Sequence, residues 1–180
     1  MLGSVAMFSY GYSLEAPMYA LNELHLLPAD YGIYNSFNML GMLLGGFLSA
    51  YLMKKIGPKN LLILSILLVL PCLISLSLIS LIQSHFILWF FITTAFSYLA
   101  FGLIFPAASY FATESICDKE SASSIMSFLN MASATVGVML MGYLPFLSIF
   151  SLFLVLSIFF IVIAIACFWR FSQMNLKLWI

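Results

Sequence analysis

Residues 52–62 read Leu-Met-Lys-Lys-Ile-Gly-Pro-Lys-Asn-Leu-Leu, and this short stretch carries three of the chain's six basic residues, Lys54, Lys55 and Lys59. Charge is absent on both sides of it. No Asp, Glu, Lys or Arg occurs from Tyr31 to Met53, from Asn60 to Thr113, or from Ser121 to Trp169. A helix that crosses a bilayer needs roughly 20 consecutive, mostly apolar residues. The first gap therefore fits one crossing, and the second and third fit two each. The segment before Leu21 supplies another.

The composition agrees. Of 180 residues, 64% are apolar and 7% charged, with a formal net charge of zero. A soluble domain carries about 25% charged residues, and a chain this apolar could not cover a water-facing surface. Lipid is the solvent that fits. Six helices are expected, at about Leu2–Leu21, Ile33–Met53, Leu61–Ile82, Phe86–Ala108, Ser121–Tyr143 and Ser148–Trp169. The separators NELHLLPADYG, KKIGPKN, QSH, SYFATESICDKE and LPF read as turns or loops. Runs of Leu, Ile and Phe without strict alternation argue against a membrane β-barrel. The fold class is thus an all-α membrane protein with six transmembrane helices in one domain, residues 1–180.

On this ladder all six basic residues lie on one side: Lys54, Lys55, Lys59, Lys119, Arg170 and Lys177. The other side carries Glu23, His25, Asp30 and His85 and no Lys or Arg. The positive-inside rule makes the basic side cytoplasmic, with both termini there too. An odd number of crossings would break this segregation. The first segment lacks the basic start of a signal peptide. Cys117 falls in a cytoplasmic loop and Cys72 inside a helix, so no disulfide is expected.

The loop and its surroundings resemble a known family. GGFLSAYLMKKIGPKNLL (45–62) is similar to the short cytoplasmic loop of major facilitator superfamily transporters. There a small-residue helix end leads into basic residues, a glycine, another basic residue and the next helix. In the first half of such transporters an acidic residue precedes the basic pair, and here Lys54 takes that place, which points to the second half. SLEAPMYALNELHLLPADYGIYNSFNMLGMLLGG (13–46) resembles the seventh and eighth helices of the drug:proton antiporters, especially the bicyclomycin-resistance branch. GLIFPAASYFATES (102–115) resembles the end of the tenth helix, and ESASSIMSFLNM (120–131) the start of the eleventh. Glu120 stands where that family commonly has glycine.

The resemblance implies helices seven to twelve of a twelve-helix fold, with a substrate cavity between two six-helix halves. It implies a bacterial inner-membrane location and proton-coupled efflux of small amphipathic or drug-like compounds. The partners are then membrane lipid, a small-molecule substrate and protons. The chain is a fragment, one part of a split transporter, or a half that pairs with a separate N-terminal half or with a second copy. The competing reading is a six-helix membrane protein that does not transport, as a gene remnant or an assembly partner.

Several residues invite chemistry. Glu15 is the one charged residue assigned inside a helix, where an ionisable group is costly and asks for a reason. Phe8, Gly11, Tyr12, Glu15 and Tyr19 share its face at helical spacing. Two phenols beside a carboxyl fit a proton or cation site, because desolvation favours the neutral acid. Alternatively, Glu15 reaches interfacial water two turns from the outer end. Asn38 matches the family's F-x-x-N and suits the cavity; Asn35 and Asn130 suit the cavity or a helix contact. Pro17, Pro71 and Pro106 each remove a helix hydrogen bond and could open a gate. The resemblance assigns Lys54, Lys55, Gly57 and Lys59 to a conformational loop.

Gly41, Gly45 and Ser49 form a small-residue stripe, and Ser133 and Gly137 form another, both suited to close helix contact. Phe90, Phe91, Phe96, Tyr98, Phe101 and Phe105 could line a drug cavity or face lipid and core. The spacing of His25, His85, Glu23 and Asp30 matches no metal-ligand pattern. The sequence has no GxxxxGK[ST], HExxH or GxSxG, so no enzyme, cofactor, metal or nucleic-acid partner is expected. Reporter fusions after Lys59 and after Lys177 should read cytoplasmic, and one near Asp30 should read external. A cytoplasmic reading at Asp30 contradicts the six-span topology.

Overall fold

The computed structural model describes residues 2–82, 86–114 and 118–143, with six further helical positions at 150, 154, 157, 158, 161 and 165. Four helices are defined: α1 (Leu2–Asn22), α2 (Pro28–Ile82), α3 (Ile87–Glu114) and α4 (Lys119–Tyr143), with no strand among the described residues. At 55 residues, α2 would reach about 80 Å at 1.5 Å per residue, far beyond a hydrocarbon core of about 30 Å. It is not one rod. Gly57 takes φ 80°, ψ 159°, a backbone state that glycine alone tolerates well. The chain turns back there, giving a first arm, 28–56, and a second arm, 58–82. Pro58 opens the second arm, where its missing N–H and fixed φ cost nothing. The Asn60 amide donates to the Ile56 carbonyl at 3.0 Å, closing the end of the first arm.

Five of the six expected crossings are therefore helical rods, and the segment 148–169 lies outside the described residues apart from the scattered positions above. Among the described residues, three helices are long and apolar enough to cross a membrane: α2, α3 and 120–143. α1 is less apolar, since it carries Ser, Tyr, Gly and Glu, and its polar residues are largely covered by its neighbours.

Two loops are shorter than their sequence suggests. NELHLLPADYG was expected as a connection, but helix α2 already begins at Pro28, which leaves 23–27 as the turn. His25 sits there at φ 52°, and the Glu23 and Leu24 N–H groups both reach back to the Tyr19 carbonyl, at 3.0 and 3.1 Å. At the other end, α3 runs on to Glu114, through residues expected to be loop. Ser109 and Thr113 hydroxyls donate to carbonyls four residues back, which satisfies them without leaving the helix. Asp118 caps α4. Its carboxylate accepts the Glu120 and Ser121 N–H groups at 3.2 and 3.3 Å and the Ser121 hydroxyl. These bonds, the Ser121 hydroxyl foremost, hold the carboxyl below its ordinary range.

Packing follows the small residues. A Cβ on Gly41 would lie 2.6 Å from the Ala95 carbonyl oxygen; one on Gly45 would strike the Leu99 carbonyl; one on Gly102 would lie 2.7 Å from the Met42 carbonyl oxygen. Ser49 completes the contact by donating to the Leu103 carbonyl at 3.4 Å. The first arm and α3 therefore run parallel with their backbones touching. The Ser133 and Gly137 stripe faces α1: Ser133 meets Gly3 and Gly137 meets Met7, so α1 and α4 also run parallel. This alternation puts Gly57, the end of α3 and the start of α4 at one end of the bundle. Lys54, Lys55, Lys59 and Lys119 share that end, and Glu23, His25 and Asp30 mark the opposite one.

Gly45→Ala should destabilise the protein in detergent by about 1–3 kcal/mol, because its methyl group meets backbone that must shift. Gly46→Ala, next along the chain, meets nothing within 4 Å and should be neutral or stabilising by up to ~1 kcal/mol. Equilibrium unfolding of both variants checks the pair. Equal effects would place the contact elsewhere.

Candidate functional site

The seam between α1 and α3 is built from rings. α1 contributes Phe8, Tyr12 and Tyr19, and α3 contributes Phe90, Tyr98 and Phe101, all buried. Centroids lie 4.7 Å apart for Phe8–Phe101, 5.0 Å for Phe8–Tyr98, 5.4 Å for Tyr12–Tyr98 and 5.0 Å for Tyr19–Phe90. The order of partners shows the two helices antiparallel. Such pairs stabilise by about 0.5–1.5 kcal/mol beyond area burial. Of the six α3 aromatics singled out in the sequence, Phe90, Phe91, Tyr98 and Phe101 are core, while Phe96 and Phe105 are exposed.

One polar network is set into this apolar seam. Asn38, on the first arm of α2, is 0% exposed. Its amide nitrogen donates to the Tyr12 hydroxyl oxygen at 2.7 Å and to Asn35 Oδ1 at 3.1 Å. Its Oδ1 accepts from the Thr94 hydroxyl at 3.1 Å. Three helices thus meet at one amide. Because Tyr12 accepts from Asn38, its own hydrogen remains available to another acceptor. Of the substrate and proton candidates, the structure brings Tyr12 and Asn38 into direct contact. Asn38 places both amide hydrogens and one oxygen lone pair on protein partners, so it braces the three helices.

Glu15 lies three residues beyond Tyr12 and is 8% exposed. Gly11, Tyr12, Glu15 and Tyr19 are buried together on α1, the face that helical spacing groups around Glu15. A carboxylate held there would be costly unless neutralised or partnered. Tyr19 packs on Phe90, beyond Glu15 towards the end that carries Glu23. Asn130 is elsewhere, on the α4 face near Ser133, and its Oδ1 is buried without a donor among the described residues.

The remaining candidates fall into place as follows. Lys54, Lys55 and Lys59 are exposed around Gly57. Pro17, Pro71 and Pro106 lie inside α1, α2 and α3, and each helix continues through its proline; the break in α2 comes at Gly57. Cys72 is a buried free thiol, while Cys117 and His85 lie outside the described residues.

Sequence reasoning missed Thr94 and a second hydroxyl cluster on the other side of α3. There Trp89 Nε1 donates to the Ser75 hydroxyl at 2.8 Å, and Ser75 and Thr93 hydroxyls are 2.9 Å apart. The signal was available: Thr93 and Thr94 are adjacent polar residues within an otherwise apolar span. Adjacent helical positions face about 100° apart, so the two threonines tie α3 to both arms of α2.

A double-mutant cycle of Asn38→Ala and Thr94→Ala should give a coupling of about 0.6–2 kcal/mol, the range for interhelical hydrogen bonds in membranes. Unfolding in detergent reads it, and additive effects would mean that the two side chains do not share a bond.

A protein-family model described as Major Facilitator Superfamily matches residues 1–175. No curated protein and no solved structure matches the chain.

Proposed function

The chain belongs to the major facilitator superfamily, a family of membrane transporters, and on that premise we propose that it forms the C-terminal half of a proton-coupled exporter of drug-like or small amphipathic compounds. It is a multi-pass membrane protein. The finer reading is supported by the resemblance of residues 13–46 and 102–131 to the drug:proton antiporters, with the bicyclomycin-resistance branch nearest. The one-sided lysines support a cytoplasmic position for both termini, and the resemblance supports a bacterial inner-membrane location. The single observation that supports the proton coupling is the burial of Glu15 on the α1 face that also carries Tyr12 and Tyr19.

In this mechanism Glu15 alternates between two environments. In the covered state burial favours the neutral acid, and in the state open to water the proton leaves. Proton entry from outside and release to the cytoplasm drive substrate the other way. A family transporter places its substrate cavity between two six-helix halves, so the second half is a separate partner or a second copy. Gly57 and the exposed Lys54, Lys55 and Lys59 form the cytoplasmic loop that changes shape between states.

Glu15→Gln keeps size and hydrogen bonding but cannot titrate. It should fold at least as well as the parent, because a buried acid no longer has to stay neutral. Efflux in proteoliposomes, with the other half supplied and a pH step imposed, should lose its dependence on that step. A variant that follows the step as the parent does would remove Glu15 from the coupling. No efflux by the parent with either partner would favour a protein that does not transport.

A further inference from the structure

The helices fall into two bodies joined in different ways. In one body, the two arms of α2 clasp α3. Gly41, Gly45 and Gly102 bring backbones into contact, and Ser75, Thr93 and Trp89 add hydrogen bonds. In the other, α1 lies along α4 through Gly3 beside Ser133 and Met7 beside Gly137, with the Tyr10 hydroxyl donating to Met131 Sδ at 3.7 Å. Within each body, small residues let one helix sink into the next. Between α2 and α3 these contacts set backbone on backbone, and between α1 and α4 they seat the Ser133 and Met7 side chains over glycine, so in both bodies sliding would meet tightly packed atoms.

The seam between the bodies is different. α1 meets α3 through ring faces and edges, with centroids 4.7 to 6.2 Å apart along Phe8, Tyr12 and Tyr19. Rings hold the helices at side-chain length and can re-seat on neighbouring rings. Small sliding of packed helices is a recognised mode of conformational change. The Tyr12–Asn38 hydrogen bond, at 2.7 Å, crosses this seam from one body to the other.

We propose that α1 and α4 shift as one unit against α2 and α3 along this ring seam, and that Asn38 is the positioning residue that clasps Tyr12 to hold the conformation seen here. The bond is built to open. When Tyr12 leaves, the Asn38 amide nitrogen keeps Asn35 and its oxygen keeps Thr94, so neither amide atom is stranded. Glu15, three residues from Tyr12 on the same helix, travels with the moving body. Release of the clasp therefore changes what covers Glu15. This rests on the transport reading for its purpose, but the motion itself is measurable without transport.

The test uses spin-label pairs in the full chain in lipid vesicles, with its three cysteines replaced by serine. Labels at exposed Met18 and Phe96 span the seam; Met18 with Met139 and Leu43 with Phe96 each stay within one body. Asn38→Ala should raise the population ratio of a second Met18–Phe96 distance by roughly two- to tenfold, the effect of losing one hydrogen bond. Tyr12→Phe, which keeps the ring, should do the same, and the double variant should add nothing. Both within-body distances should stay as in the parent. An unchanged Met18–Phe96 distance in Tyr12→Phe overturns the proposal, as does equal broadening of all three pairs. If Asn38→Ala does not insert, Tyr12→Phe decides alone. A failed coupling test at Glu15 leaves this result standing, so the two readings fail separately.

Discussion

The close approach of the first arm of α2 to α3 is the contact on which the rest of the structure depends. In hydrocarbon no water satisfies a backbone group, so each crossing segment must close its own hydrogen bonds as a helix. Helices in lipid then gain little from hiding apolar surface, and contact quality decides which of them pair. Here the pairing is set by Gly41, Gly45 and Gly102, which leave no room for a Cβ on either side. With the first arm and α3 fixed, Gly57 folds the second arm back onto the far side of α3. The ring face of α3 is then presented to α1.

Polar groups are handled with economy. Most hydroxyls inside the spans turn back to a carbonyl one turn earlier, as Ser65 does to Leu61, Ser97 to Thr93 and Thr135 to Met131. Such bonds satisfy the side chain but link nothing. Among the groups that do link helices are the Asn38 amide, the Tyr12 and Thr94 hydroxyls, the Ser75–Thr93–Trp89 cluster, the Ser49 hydroxyl and the Tyr10 hydroxyl on Met131. Glu15 lies one turn from Tyr12 on the same buried face of α1. A buried acid next to a releasable hydrogen bond is an arrangement in which conformation and protonation can influence one another, since each changes the cost of the other.

The helix ends show how local chemistry extends order beyond the apolar runs. Pro28 starts α2 five residues before the apolar stretch expected to begin at Ile33, and Ser109 and Thr113 carry α3 past Ala108. Hydropathy marks where lipid begins, whereas caps and back-bonded hydroxyls mark where the helix ends. The two need not coincide, because a helix can continue into the headgroup region. Likewise the three prolines flagged as possible gates leave their helices continuous, and the reversal falls at Gly57, where a positive φ is cheap.

The sequence by itself determined the medium and the approximate extent of the helices defined in the structure. The bilayer acts on each residue's hydropathy and charge, so gaps free of Asp, Glu, Lys and Arg and the one-sided lysines could be read directly. The shared face of Phe8, Tyr12, Glu15 and Tyr19 was legible for a similar reason, since it follows from helical periodicity within α1. Only the tertiary structure decided what that face meets. Tyr12 and Asn38 are 26 residues apart, and Asn38 and Thr94 are 56 apart; no local pattern couples them. Their meeting depends on which glycine stripe finds which helix, and that is a matter of shape complementarity between whole faces. The same physics sets the Asn38 amide between α1 and α3.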